Sequence, residues 1–539
     1  MHRVEEPMDP HGIRDAERRW RELGLWRDLT MDQAFAAAAA ARPEARLLIH
    51  SEQTAVATLG EIRSEAIRLA HALAALGVRA GDVVALQLPN RRETAVLYQA
   101  IARLGAIIMP IIPIYGEHEL THILRDSRAR VLFIPSQWRR TDYVERVRKL
   151  GETPDLNAIV VMGGGAPSDM VAWSEFVQLV GDAADPPEDA AAPAFMVYTS
   201  GTTAKPKGVV HSSNGLLAEI WQASLSSAGE VRRLSPFPAG HVAGALSLLG
   251  HSVLGQTTVV FETWDPVAAA RLVAQERITH LSGTPYHYLS LLDAQEAAGA
   301  DFSSVADCGG GGASVPESLV ARAERQGLRF YRRYGMSEHP TVTGGGSAAP
   351  LLQRMKTDGK PALGCEIRIV DDNGRDLPIG SEGEVAARGA ELFLGYTDPA
   401  LNAECFLPGR WFRTGDIGRL DENGCLTITD RKKDIIIRGG ENISSREVED
   451  LVMRLPGVLE VAAVAMPDPV LGERVCAFVR VREGAELTIE GLGTAFQEFG
   501  VARQKTPEKL VLVDQFPRTA SGKIRKAELR DRLADRTAG

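Results

Sequence analysis

The chain is read as an α/β protein: a large N-terminal domain of doubly wound mixed sheets that ends in a small β-barrel-like part, followed by a small α+β C-terminal domain. Three observations predict this. Up to about residue 135, apolar residues alternate between helical and strand spacing, which argues for parallel strands covered by helices. After about residue 350, Asn-Gly pairs stand between alternating apolar segments, the strongest short-range hairpin signal. Beyond Asp430, short strands and helices follow one another in a compact run.

The elements follow in order. Leu59, Ile62, Ala66, Leu69, Ala70, Leu73 and Leu76 recur at helical spacing, and Gly81-Asp82 turns into a strand at 83–88. Helices near 94–104 and 119–127 and strands at 106–112 and 130–134 repeat the pattern. The Pro- and acid-rich stretch 181–193 reads as a surface loop leading into an apolar strand, Phe195 to Tyr198. Asp371-Asp372-Asn373-Gly374 and Asp421-Glu422-Asn423-Gly424 mark the antiparallel part, about 350–432. A strand at 435–437, a helix at 447–455, strands at 461–465 and 475–481, another helix and a strand at 510–513 make up the last unit. The expected division is 1–432 and 433–539.

Composition excludes several classes. A chain of 539 residues, 44% hydrophobic and 24% charged, is long enough for more than one buried core. A net charge of −9 gives no basic footprint for nucleic acid. Cys308, Cys365, Cys405, Cys425 and Cys476 form no C-x-x-C pair, so neither a disulfide framework nor a zinc site is implied, and a reducing cytoplasm fits best. Residues 1–27 are polar where a secretion signal would need an apolar core, and no run reaches the length of a membrane span. Only 11 of the 61 basic residues are lysine, and those at 207, 432, 433 and 523 stand in the motifs below.

The densest chemistry lies in Thr199-Ser200-Gly201-Thr202-Thr203-Ala204-Lys205-Pro206-Lys207-Gly208, directly after the apolar strand. Hydroxyls, free N–H groups of a glycine turn and an ammonium suit the oxygens of a polyphosphate. A Walker A loop places Gly-Lys-Ser/Thr at the start of a helix. Here Lys207-Gly208-Val209-Val210 continues apolar instead, so this is a different cradle.

The cradle resembles the signature of the adenylate-forming superfamily, which contains acyl-CoA synthetases, luciferases and peptide-synthetase adenylation domains. Tyr334-Gly335-Met336-Ser337-Glu338, Gly383-Glu384-Val385, Trp411-Phe412-Arg413-Thr414-Gly415-Asp416, Asp430-Arg431-Lys432-Lys433-Asp434 and Ser521-Gly522-Lys523 follow in that family's order. The Ala204 variant of the cradle, Trp264-Asp265-Pro266 and the context of Tyr334 resemble the cyclohexanecarboxylate-CoA ligase and short-to-medium-chain acyl-CoA ligase branches.

The resemblance implies attack of a carboxylate on the α-phosphate of ATP, with Mg²⁺, to give acyl-AMP and pyrophosphate, then attack of the CoA thiol on the acyl carbon. Two anions must meet in the first step, so cations at the α-phosphate decide the rate. By resemblance Lys523, on a flexible polar loop, bridges α-phosphate and carboxylate, and Glu338 binds the metal, with Thr202 and His241 completing the catalytic set. Nucleotide contacts fall to Thr199, Ser200, Gly201, Thr202, Thr203, Lys207, Gly311, Gly312, Ala313, Tyr334, Gly335, Ser337, Asp416 and Arg431. For Asp416 and Arg431 a structural ion pair is the competing reading. Lys433 lies at the hinge position, about which the C-terminal domain is mobile, and Gly439, Gly440 and Glu441 would enter the site with CoA.

His241, Val242, Gly244 and Gly310 are expected to line the acyl pocket. Amino-acid-activating relatives carry an Asp near the His241 segment, and 234–264 contains none, which disfavours an amino-acid substrate. The partners implied are an apolar aliphatic, alicyclic or aromatic acid, ATP and CoA, with a homodimer left open. Transfer to a carrier protein, and a regulator that has lost catalysis, are the alternatives. Arg333 stands where a small residue usually precedes the tyrosine, and sequence alone gives no account of it.

Overall fold

The computed structural model describes residues 12–52, 54–182, 185–199, 206–225, 229–439, 441–519 and 522–535. Two mixed sheets form the N-terminal part. In the eight-stranded sheet, Val83–Leu86, Ile107–Pro110, Val131–Pro135, Ala158–Met162 and Pro193–Thr199 run parallel, and Lys207–Ser212 turns back antiparallel. In the nine-stranded sheet, Arg46–His50, Thr257–Phe261, Arg232–Ser235, His280–Gly283, Asp307–Gly310 and Tyr331–Tyr334 are parallel. This is the α/β architecture the alternation predicts.

Local chemistry sets the element ends. The helix Leu59–Ala75 starts on a reciprocal cap in which Thr58 Oγ1 accepts from Glu61 N–H and Glu61 accepts from Thr58 N–H. Its Ile62, Ala66, Leu69 and Leu73 are buried in the largest core, which also takes Val84, Ile108 and Val131 from the sheet. The helix Pro266–Gln275 starts on Asp265, whose carboxylate accepts from Val267 and Ala268, with Pro266 in the first turn.

The antiparallel part is a five-stranded sheet bent by irregularities at Glu384/Ala386 and Ile417/Gly418. One of the two Asn-Gly signals makes the expected hairpin: Asp421 to Gly424 joins Trp411–Leu420 to Leu426–Arg431. The other turns at Asp371 to Gly374 but is followed by a single bridge, Val370 to Asp376, before the next strand begins at Gly383. After Arg431 the chain enters a separate five-stranded sheet, beginning at Ile436–Arg438 and built on the long hairpin of Val458–Asp468 and Gly472–Val481. Its core holds Ile436, Val448, Ala463, Val475, Ala477 and Phe496.

Candidate active site

The carboxyl ends of parallel strands are where an open α/β sheet leaves backbone groups and side chains free for a ligand. Gly283-Thr284, Gly311 to Ala313 and Tyr334 to Glu338 all follow directly on such ends, and all line one cleft of about 1700 Å³. Single small-molecule sites occupy roughly 300–1,000 Å³, so this cleft has room for more than one reactant.

At one end of the cleft the predicted nucleotide residues are hydrogen-bonded to one another. Asp416 is 4% exposed, accepts from the Tyr334 hydroxyl at 2.7 Å and pairs with Arg431 Nε at 3.0 Å. The ion pair weighed against ribose binding is therefore present. A carboxylate oxygen has two acceptor sites, so each Asp416 oxygen keeps one for a further donor. Burial, and then the Asp416 charge, keep the Tyr334 hydroxyl protonated. Glu338 accepts from the Tyr396 hydroxyl at 2.7 Å, and Lys207 Nζ stands 5.4 Å from the centre of the same ring. Ser337 is fixed through its carbonyl, which pairs with His211 Nε2 at 2.8 Å. Burial holds His211 neutral, down to about 4, so Nε2 carries the donated proton.

The glycines here are required by close approach. A Cβ on Gly335 would overlap the Pro340 carbonyl, and one on Gly311 the Arg333 carbonyl. Thr199 and Lys207 line the cleft, paired across the two strands that frame the cradle. The predicted residues Ser200, Gly201, Thr202 and Thr203 lie outside the described residues.

Lys523 reaches the cleft from the segment between the strand Lys509–Leu512 and the helix Lys526–Asp535. Lys523 packs against Gly312: a Cβ there would stand 3.4 Å from Lys523 Cε and 3.9 Å from Nζ, ordinary contact, and it is the φ of +75° that favours glycine. The expected flexible loop is, over its described residues, a bonded one: Thr519 N–H donates to the Lys523 carbonyl at 2.8 Å, and Lys523 N–H donates to Thr519 Oγ1 at 3.1 Å. Arg518 lies over the Tyr286 ring at 5.3 Å and docks the loop on the helix Pro285–Ala298 of the N-terminal part. Burial, then the Arg431 charge, pull the Lys523 ammonium down to about 8 against the opposing Asp416 and Glu338. Lys433 lines the same cleft and is also pulled down to about 8, by burial and then Arg431.

The other end is the acyl side. His241 caps the helix Val242–Leu254, its Nδ1 accepting from Ala243 N–H at 3.2 Å. Burial, then the Lys523 charge, push it down to about 3, so the ring is neutral and the proton sits on Nε2. Val242, Ala243, Leu246, Gly250, Ile220 and Ala223 form the apolar wall. Two expected pocket residues do not face the cleft. Gly310 abuts the Phe330 and Tyr288 rings in the core, and Gly244 sits against the Pro238 carbonyl, so both serve packing. Gly439 and Glu441 are exposed on the hairpin of the C-terminal sheet, away from the cleft lining, and Gly440 lies outside the described residues.

Arg333 now has a reason. Its guanidinium pairs with Asp307 at 3.1 Å and lies over Tyr331 at 5.0 Å, in the space that Gly309 leaves open. Sequence reasoning missed Tyr396, which orients Glu338, and the hydroxyls of Tyr198 and Thr397, which both donate to Asp126 beneath the cradle. A tyrosine in a two-residue strand, Gly395–Tyr396, carries no motif that could have flagged it.

The comparisons with known proteins agree with this geometry. The model of the family "AMP-binding enzyme" matches residues 35–397, and that of the AMP-binding enzyme C-terminal domain matches 447–523. The chain belongs to this family, and its class is that of the AMP-forming acid–thiol ligases. A medium-chain fatty-acid–CoA ligase of Escherichia coli is 34% identical over 95% of this chain and 92% of its own. An indoleacetate–CoA ligase of Aromatoleum aromaticum is 33% identical over 87% and 92%. The solved o-succinylbenzoate CoA synthetase of Bacillus subtilis, in complex with its acyl-adenylate intermediate, superposes with a TM-score of 0.79 at 26% identity, over 93% of this chain and 97% of that one. Among the described residues, no helix is long and apolar enough to cross a membrane.

Proposed function

We propose that the protein is an ATP-dependent carboxylic acid–CoA ligase acting on an acid with an apolar aliphatic, alicyclic or aromatic body, through an acyl-adenylate and then a CoA thioester. The observation that carries this reading is Lys523, held beside Gly312 in the same cleft as Glu338, Asp416 and Arg431. An ammonium there stabilises the charge that builds when a carboxylate meets the α-phosphate.

Tyr334 and Gly335 face Gly311 to Ala313 across neighbouring strand ends and would sandwich the adenine, with Asp416 and Arg431 on the ribose. The Glu338 carboxylate, oriented by Tyr396, suits a hard divalent cation that keeps phosphate and water oxygens; Mg²⁺ would there neutralise phosphate charge. A relative's solved structure holding ATP and a magnesium ion supports that assignment. His241, neutral with its Nε2–H free to donate, would orient the acid. Burial leaves the Lys523 ammonium weakly solvated, which lowers its hold on its proton, and a phosphate meeting it would supply the missing partner.

For the second step the C-terminal domain, 433–539, would rotate about Lys433 and bring Gly439 to Glu441 to the cleft for CoA. Lys433→Pro should therefore spare pyrophosphate release and lower thioester formation by more than about tenfold; unchanged overall turnover would refute the hinge. The reaction would take place in the cytoplasm, where five unpaired cysteines stay reduced.

Pyrophosphate release with ATP, Mg²⁺ and a panel of acids, with and without CoA, tests the whole reading. Acid-dependent release with AMP and acyl-CoA accumulating upholds it. Release without any CoA thioester would assign the acyl group to a carrier protein instead.

A further inference from the structure

The acyl pocket runs along one face of the nine-stranded sheet, and that face is charged where a buried parallel sheet is ordinarily apolar. Arg233, His280 and Asp307 stand side by side across three strands, in register. The opposite face at the same level carries Leu234, Leu281 and Cys308, all in an apolar core. Such a charged row beneath a substrate pocket calls for a partner for each charge.

Counting partners leaves one cation over. Arg333 pairs with Asp307, and Tyr331 bridges them, its hydroxyl 2.8 Å from Asp307 and 3.0 Å from Arg333 Nε. Burial, then Arg233, holds His280 neutral at about 4, so it adds no charge. Glu219 spends one oxygen on the Thr341 hydroxyl at 2.7 Å, and its other oxygen is buried with no partner among the described residues. Burial and the neighbouring Glu391 charge push Glu219 up to about 7, towards the neutral acid. Arg233 is half-buried, lines the pocket, and its side chain makes no ion pair or hydrogen bond among the described residues. Burial, then Arg333, disfavour its charge, so the pocket is short of an anion at this point.

We propose that the acid activated by this protein carries a second carboxylate, held by Arg233 at the far end of the acyl pocket with Glu219 as a proton-sharing neighbour. The inference rests on the ligase reading above and narrows its substrate class to dicarboxylic acids with an apolar middle. The wall of Leu246, Ala223 and Ile220 contacts that middle. Arg233 stands level with Asp307, four residues before Gly311, and strands rise about 3.3 Å per residue, so the two ends of the acid lie about 13 Å apart before side-chain reach is subtracted.

The test compares α,ω-dicarboxylic acids of about six to twelve carbons with monocarboxylic acids of the same lengths, by pyrophosphate release, in the full chain and in Arg233→Met and Arg233→Lys. At the best length the full chain should favour the dicarboxylic acid by roughly 100-fold in kcat/KM, because an unpaired guanidinium in the pocket rejects a methyl end. Arg233→Met should lower that value by a similar factor and raise the value for the monocarboxylic acid, a gain that misfolding cannot produce. Arg233→Lys should keep part of the preference. If the full chain favours monocarboxylic acids at every length and Arg233→Met leaves the ranking unchanged, the second carboxylate is refuted while the ligase stands. If no acid releases pyrophosphate although calorimetry shows ATP bound, the ligase reading fails and takes this inference with it.

Discussion

The two ends of the cleft are built on opposite plans. At the nucleotide end, Tyr334, Asp416 and Arg431 come from three strands and are bonded to one another before any ligand arrives, as are Tyr396 and Glu338. At the acyl end, the wall is a stripe of small and apolar residues on the helix Val242–Leu254, closed by a charged sheet face whose Arg233 has no partner among the described residues. One end is preorganised by its own hydrogen bonds, and the other offers an apolar wall and a charged group that await a ligand. A preorganised end should respond to mutation equally for every acid, whereas the acyl end should change the order in which acids are preferred.

The largest effect tests the point where the ends meet. Lys523→Ala should lower adenylation by roughly 10²- to 10³-fold for every acid, as removal of one transition-state charge stabiliser does. Thioester formation from supplied acyl-AMP should survive; equal loss in both steps would refute the division of labour. Asp416→Ala strands Arg431 and the Tyr334 hydroxyl, a loss of about 2–3 kcal/mol, and should lower kcat/KM for ATP by about 30- to 160-fold with the ranking of acids unchanged. A changed ranking would break the contrast.

Ala243→Leu narrows the acyl wall and should penalise the bulkiest acid by roughly 10- to 100-fold against the smallest, with KM for ATP unmoved. The pH profile gives the smallest effect. The Lys523 proton is held with a pKa lowered to about 8, so its charge is present below pH 8 and lost above it. The kcat/KM for ATP, which reports the free enzyme, should fall about tenfold between pH 7 and 9, and that limb should vanish in Lys523→Ala.

The same contrast explains what could be read from the amino-acid sequence. Tyr334, Asp416, Arg431 and Lys523 stand in motifs because a fixed reactant demands fixed residue types at fixed spacing, and all four do meet in one cleft. The alternation of helices and strands was legible for the ordinary reason that burial imposes a period. The acyl end was not. Gly310 and Gly244 looked like room for a ligand, yet a glycine also serves where two backbones touch, and only the fold tells the two apart. Arg233 and Glu219 lie far from every motif, and nothing local marks a charge as unpaired. His241 was singled out for the pocket, but its capping of a helix was hidden because histidine is not among the usual capping residues.

The placement of Lys523 in the C-terminal domain, joined to the rest of the cleft through the single segment between Arg431 and Ile436, makes one of the reagents a tethered one. Its supply at the phosphate is then governed by an effective concentration, of the order of millimolar for a short link, rather than by diffusion of a separate molecule. A chain severed at that segment would have to find its own lysine at such concentrations, and the length of those few residues is in this sense a rate constant written into the covalent chain.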